Sequence, residues 1–430
     1  MKAIVQQTEL RGSIRAPPSK SYTHRAIVCG LLSKNQTQIS NPLFCEDTQA
    51  SLRLSRMMGA QITNQEDLLV TGPETLVAPT SEMDCGGSGT TIRLYTALAA
   101  LTNGPCVLTG DQSLQARPMT DLLHALDQLG IKATSIRNDG KPPVEVIGKG
   151  LSGGKVRIRG DISSQYISGL LFACSKSEED TTIEITTRLE SRPYVEMTLE
   201  VMKHFGVSAW PSELWDSFSV PGNQEYIASH YEIPGDFSSA AFLLAAGALH
   251  GKVRVTNLNK GSLQGDALII ELLKKMSALI IEKEDGYEVS ASELEPIEVD
   301  VSHTPDLVPV LVVLASQADG CSRIYNAQRL RFKESDRLTT MSTELKKMGG
   351  RVKLTDDGID VEGPTKLQGA MIETHNDHRI AMACTIAGLI ASGSTVILGA
   401  ECVSKSYPNF MEDIQSLGAE ISINKKEGGE

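Results

Sequence analysis

The sequence predicts an α/β protein of two similar domains, each made of three βαβαββ units whose helices are largely buried. Three observations predict it. The 430 residues exceed one ordinary core and suit two domains of roughly 200 residues each, with a cleft between them. Amphipathic helices end six times near Gly59, Gly130, Gly206, Met276, Gly349 and Gly418, a repeat of about 70 residues, longer than most solenoid periods. Each such end follows a polar loop and a second helix of small apolar residues.

Taken in order, the polar loops that open the apolar helices are Ser19-Lys20-Ser21-Tyr22-Thr23-His24-Arg25, Gly87-Ser88-Gly89-Thr90-Thr91-Ile92-Arg93 and Asp161-Ile162-Ser163-Ser164-Gln165. The later three are Gly235-Asp236-Phe237-Ser238-Ser239, His303-Thr304-Pro305-Asp306 and Asn376-Asp377-His378-Arg379. Runs such as 240–249 and 308–314 are apolar on most faces, so these helices belong inside. Strand patterns follow at 181–186, 252–255 and 394–398, and again after the Gly-ended helices at 131–136 and 351–354. Glycine just past a helix supplies the left-handed cap; only the fourth end lacks one.

Three units make one domain, which places a boundary near Ile233-Pro234-Gly235. The strand pattern over 4–14 is expected to pair with the C-terminal half. The domains are therefore read as 1–15 with 234–430, and 16–233, with crossings at 16–18 and near Pro234 acting as a hinge.

The formal net charge of −12 argues against nonspecific nucleic-acid or anionic-membrane binding, which need a cationic face. No apolar run is long enough to span a bilayer, and Met1 to Val5 leads directly into a strand pattern, so a cytoplasmic protein is expected. The eight cysteines are scattered without metal-ligand spacing and read as reduced, mostly buried thiols. No metal and no cofactor is expected.

Local cationic loops still suit small anions. The run 329–337, Arg-Leu-Arg-Phe-Lys-Glu-Ser-Asp-Arg, holds four cations and two carboxylates before a helix with apolar positions Leu338, Met341 and Leu345. Ser335 is expected to cap that helix, placing Lys333 and Glu334 at its N-terminus, where backbone N–H groups favour anions. Pro17-Pro18-Ser19-Lys20-Ser21 suits a phosphate but lacks P-loop spacing. Gly86 to Thr90 allows close approach to a helix start. Asp306 is a helix cap or a general base, and Lys20, Arg25, Arg93, Arg117, Lys333, Arg337, Arg379 and Lys405 are candidate anion ligands.

These loops together resemble the 5-enolpyruvylshikimate-3-phosphate synthase family over nearly the whole chain. The resemblance rests on Pro18-Ser19-Lys20-Ser21 with Arg25, Gly89-Thr90 with Arg93, Arg117-Pro118, Ser163-Ser164-Gln165 and Ser191-Arg192-Pro193-Tyr194. It continues through Pro305-Asp306, the motif from Lys333 to Arg337, the motif from Asn376 to Arg379, and Lys405. It implies the inside-out α/β barrel of enolpyruvyl transferases and transfer of the enolpyruvyl group of phosphoenolpyruvate to the 5-hydroxyl of shikimate 3-phosphate. By resemblance, Lys20, Ser21, Arg25, Ser163, Ser164, Gln165, Ser191, Tyr194, Asp306, Arg329 and Lys333 bind shikimate 3-phosphate. Lys20, Gly89, Arg117, Gln165, Arg337, Arg379 and Lys405 bind phosphoenolpyruvate.

Addition to C2 of an enol phosphate needs C3 protonated and the alcohol deprotonated. Asp306 is the expected base, with Glu334 and Lys20 the proton donors. Each arginine contact to the intermediate's phosphate or carboxylate contributes roughly 1.5 to 3 kcal/mol. By the same resemblance, Gly87 stands where many members of that family carry asparagine, and Arg329 where some do. Gly89 leaves space beside phosphoenolpyruvate, and the resemblance implies that the inhibitor glyphosate, which occupies that region in the family, is expected to fit. Two other readings are an enolpyruvyl transferase acting on UDP-N-acetylglucosamine, most of which carry cysteine where this chain has Gln112, and a non-catalytic phosphometabolite or RNA-end binding protein. A monomer is expected.

Overall fold

The computed structural model describes residues 1–64 and 67–424. The chain divides into a continuous unit, Pro18–Ile233, and a discontinuous one, Met1–Pro17 with the chain from Pro234 onward. Each has its own apolar core.

Six four-stranded sheets are present among the described residues, three in each unit, and all share one topology. A first strand lies parallel to a second, which pairs antiparallel with the fourth, which in turn pairs with the third. In the sheet of Glu298–Asp300, for example, that strand runs parallel to Gly320–Tyr325, followed by Ile359–Gly363 and Arg351–Leu354. This is the βαβαββ unit the repeat predicts.

Two sheets of the discontinuous unit are completed by the N-terminal segment. The predicted single strand over 4–14 is two strands serving different sheets. Lys2–Val5 lies between Thr395–Leu398 and Ile421–Asn424, whereas Leu10–Arg15 runs parallel to Gly251–Thr256. In the continuous unit His230–Glu232 returns to lie parallel to Thr37–Ser40 and so serves as first strand of the first repeat. Parallel pairing needs a long crossover, which these distant segments supply.

The inner helices of the continuous unit are Lys20–Leu32, Gly89–Ala99 and Ser164–Cys174; those of the discontinuous unit are Phe237–His250, Val308–Ala315 and His378–Ile390. Val308–Ala315 shows why they form: every residue is buried, and burying each Val or Leu, worth about 1.5–3 kcal/mol, outweighs the modest helix propensity of a β-branched run. Pro309 falls in the first turn, where a missing N–H costs nothing.

The six outer helices all end in a left-handed residue: Gly59, Gly130, Gly206, Gly349 and Gly418 have φ between 78° and 104°, and Ser277 fills the fourth position at φ 63°. The repeat geometry is thus kept where the glycine is missing. No helix among the described residues is long and apolar enough to cross a membrane. All eight cysteines are free, Cys321 alone exposed.

Candidate active site

In the discontinuous unit the helix entrances converge on Arg337. This guanidinium is 1% exposed. It donates from Nη1 to Asp306 Oδ1 at 2.6 Å, from Nη2 to Glu334 Oε2 at 2.5 Å and from Nε to Asp377 Oδ2 at 2.9 Å. Three carboxylates from three loops thus share one cation. Burial alone would lower the Arg337 pKa, but Asp377, Glu334 and Asp306 hold it well above its ordinary value.

Asp306 lies in the first turn before Val308–Ala315, after Pro305. Burial would raise its pKa; Arg379, Lys333 and Arg337 overcome this and hold the carboxyl well below the usual range. Arg379 Nη2 is 3.3 Å from Asp306 Oδ2, and Lys333 Nζ is 3.8 Å from Oδ1. Desolvation pushes Lys333 down to about 8, even with the Asp306 charge beside it. Lys405 donates to the Asn376 carbonyl at 2.8 Å.

One sequence expectation needs correction. The helix Arg337–Lys347 is capped by Asp336, whose side chain accepts from Thr339 N, and not by Ser335. Ser335 instead donates to Asp377 Oδ2 at 3.0 Å. A carboxylate one residue closer to the helix is the better acceptor for its free N–H groups. Arg329 donates to the Ser302 carbonyl.

In the continuous unit Lys20 opens its helix and pairs with Asp47 at 2.7 Å. Arg25, one turn on, is 2% exposed. It donates to Thr198 Oγ1 at 2.9 Å, to the Ser21 carbonyl at 2.8 Å and to the Tyr194 carbonyl at 2.7 Å. Neutral acceptors compensate the buried charge only partly, and desolvation brings Arg25 down to about 10. Ser191, at φ 50°, begins the helix that carries Tyr194.

A second group gathers at Gly89. A Cβ there would stand 2.7 Å from Arg117 Nη1 and 3.3 Å from Arg93 Nη1, so glycine is what admits both guanidinium groups. Arg93 donates to Gln165 Oε1 at 2.6 Å, and Gln165 Nε2 donates to Thr90 Oγ1 at 2.7 Å. Ser163 caps the next inner helix by accepting from Gln165 N, leaving Ser164 as its first residue.

Within the continuous unit, then, Lys20, Ser21, Arg25, Ser191 and Tyr194 gather around two helix starts, and Gly89, Arg117 and Gln165 around two others. In the discontinuous unit Asp306, Lys333, Glu334, Arg337 and Arg379 form one network, with Lys405 on a backbone carbonyl beside Asp377. Sequence reasoning missed the anchoring groups Asp47, Asp377 and Thr198. The position of Asp377 before a helix was a visible capping signal; for the other two nothing local marks the partner. Among the described residues no His, Cys, Asp and Glu group is arranged to hold a metal ion.

Six βαβαββ units, with cations gathered at helix entrances in both cores, match the class of enolpyruvyl transferases. The chain belongs to the family described as EPSP synthase (3-phosphoshikimate 1-carboxyvinyltransferase), whose model matches residues 4–414. It is 42% identical to the 3-phosphoshikimate 1-carboxyvinyltransferase of Methanococcus aeolicus, covering 98% of this chain and 99% of that protein. Against the protein of the same name from Methanococcoides burtonii it is 44% identical, covering 99% and 100%. An EPSP synthase structure from Acinetobacter baumannii superposes with a TM-score of 0.81 at 30% identity, covering 98% of this chain and 99% of that one. The enolpyruvyl transferase NikO from Streptomyces tendae, at 18% identity and TM-score 0.80 over 98% of each chain, shares the fold.

Proposed function

We propose that the chain transfers the enolpyruvyl group of phosphoenolpyruvate to the 5-hydroxyl of shikimate 3-phosphate and releases phosphate, a step of the shikimate pathway toward chorismate. The observation that carries this reading is the binding of Asp306 and Glu334 to one buried guanidinium, Arg337. Addition and elimination at one carbon need a base and an acid held in fixed relation, and Arg337 fixes them.

Asp306 is ionised, the form that accepts a proton. As the substrate's anionic groups draw Arg379 and Arg337 toward themselves, its basicity rises, and it takes the proton of the 5-hydroxyl while oxygen attacks C2. Lys20, as an ammonium, and Glu334, once it has taken up a proton as Arg337 turns to the substrate's anionic groups, are the donors of a proton to C3. The tetrahedral intermediate keeps phosphate and carboxylate, held by Arg117, Arg337, Arg379 and Lys405 with Gly89 and Gln165 alongside. Loss of the C3 proton then expels phosphate. Ser21, Arg25, Ser163, Ser164, Gln165, Ser191, Tyr194, Arg329 and Lys333, together with Lys20, hold shikimate 3-phosphate. The chain acts as a monomer in the cytoplasm and uses no metal or cofactor.

The family match and Gln112 favour this acceptor over UDP-N-acetylglucosamine. Phosphate release from phosphoenolpyruvate is expected only when shikimate 3-phosphate is added. Release with the UDP-sugar instead, or binding of either substrate without turnover, would select another reading.

A further inference from the structure

Thr374, His375 and Asn376 join the edge strand Met371–Glu373 to Asp377. Two of them are left-handed without being glycine: His375 has φ 51° and Asn376 has φ 57°. Asparagine tolerates that region, but two such residues in succession persist only where their surroundings impose it. Asp377 and Arg379 follow directly, so this turn sets where both side chains stand.

The imposing group is Glu344, on the helix Arg337–Lys347. Its side chain is 1% exposed. Oε2 accepts from Lys347 Nζ at 2.7 Å and from Glu373 N at 3.1 Å. Oε1 accepts from Lys347 Nζ at 2.9 Å and from His375 Nε2 at 3.3 Å. A buried carboxylate needs such partners. Lys347 supplies the counter-charge from the same helix, and the other two hydrogen bonds go to the turn. Glu344 lies seven residues after Arg337, two helical turns, so both side chains leave one face of the helix. Arg337 holds the turn at Asp377; Glu344 holds it at Glu373 and His375. Between them, the Asn376 carbonyl accepts from Lys405 Nζ at 2.8 Å.

We infer that Glu344, acting through His375 and the Glu373 N–H, is a positioning residue for Arg379: it clamps the left-handed turn and so presets the guanidinium for its anion. A group fixed beforehand binds more tightly, because less freedom is lost on binding. That the anion is phosphoenolpyruvate rests on the function proposed above; the clamp on the turn does not.

Glu344→Ala and Glu344→Gln test the inference, the second keeping an acceptor for the Glu373 N–H. Amide hydrogen exchange over 373–379 is expected to quicken on the order of tenfold in Glu344→Ala, and far less in Glu344→Gln. In steady-state kinetics KM for phosphoenolpyruvate should rise on the order of tenfold in Glu344→Ala, with kcat and KM for shikimate 3-phosphate within about twofold. Glu344→Gln should recover most of that loss. In an Arg379→Lys background, Glu344→Ala should change the same KM by less than about twofold, since the two act as one. Unaltered exchange, or additive effects of the two substitutions, overturns the inference. A purely structural role would lower thermal stability and leave KM unmoved. Absence of turnover in the unsubstituted chain falls on the proposed reaction instead, and the exchange measurement then decides the clamp. Should Glu344→Ala fail to fold, His375→Ala carries the test, because that side chain is 48% exposed. Exchange over the turn should quicken and KM for phosphoenolpyruvate rise about threefold, the worth of one hydrogen bond; if neither moves, the inference is overturned.

Discussion

Arg337 and Asp377 are bound side chain to side chain through Nε at 2.9 Å and Nη2 at 3.3 Å, both groups at most 1% exposed. The same Asp377 carboxylate caps the helix His378–Ile390 by accepting from Arg379 N at 3.0 Å. One side chain thus fixes a guanidinium and the helix start that bears Arg379.

Asp377→Ala is expected to destabilise the protein by about 3–5 kcal/mol, because it removes a cap and leaves a buried guanidinium short of a partner. Glu362→Ala, which breaks the exposed pair with Arg351, should change stability by no more than about 1 kcal/mol. Denaturant unfolding of the two variants checks the contrast, and comparable losses would contradict it.

Asp306→Asn should keep binding both substrates while turnover falls by roughly 10²–10⁴, the usual worth of a positioned general base. The variant loses a charge from the Arg337 network but keeps a neutral acceptor for Nη1. Steady-state kinetics beside equilibrium binding distinguishes this from loss of substrate affinity, and wild-type turnover removes Asp306 from the base role.

Lys333, pushed down to about 8 by burial, predicts a pH limb. Its ammonium is present below that value and lost above it, so KM for shikimate 3-phosphate should stay level below about pH 8 and rise up to tenfold per pH unit beyond, when the charged form is the one that binds. Lys333→Arg should move that limb out of range, since guanidinium stays charged. A limb shared by both proteins belongs to another group.

Gly89→Ala would place a methyl 2.7 Å from Arg117 Nη1. Displacing that group should raise KM for phosphoenolpyruvate about tenfold, the worth of one weakened charged contact, with KM for shikimate 3-phosphate unchanged. Wild-type enzyme should be inhibited by glyphosate competitively with phosphoenolpyruvate, and the variant less so. Unchanged wild-type activity at saturating glyphosate would refute this placement.

Much of the fold was legible because glycine caps and apolar helices are local signals. Ser277 shows where that reading reaches its edge: the same left-handed geometry is imposed by the repeat without a glycine to announce it. The division of the N-terminal pattern into Lys2–Val5 and Leu10–Arg15 was hidden, since alternation continues across the break and the two partners lie hundreds of residues away. The return of His230–Glu232 to Thr37–Ser40 was hidden for the same reason. At the site, cations beside helix starts were readable, and so was Asp306 after its proline. The groups that hold those cations were not: Lys20 meets Asp47, and Arg25 meets Thr198, only through tertiary packing. Ser335 and Asp336 are both good capping residues, and only the local backbone decides between them.

The interior place of Lys2–Val5, flanked on both edges by strands that come after the whole continuous unit, has a consequence for biogenesis. Translation delivers this strand before the continuous unit and both its neighbours after it, whereas Pro18–Ile233 emerges as one uninterrupted stretch. On the ribosome the continuous unit can therefore mature while the opening strand waits unpaired, and the other unit closes only once the final sheet strands have been released.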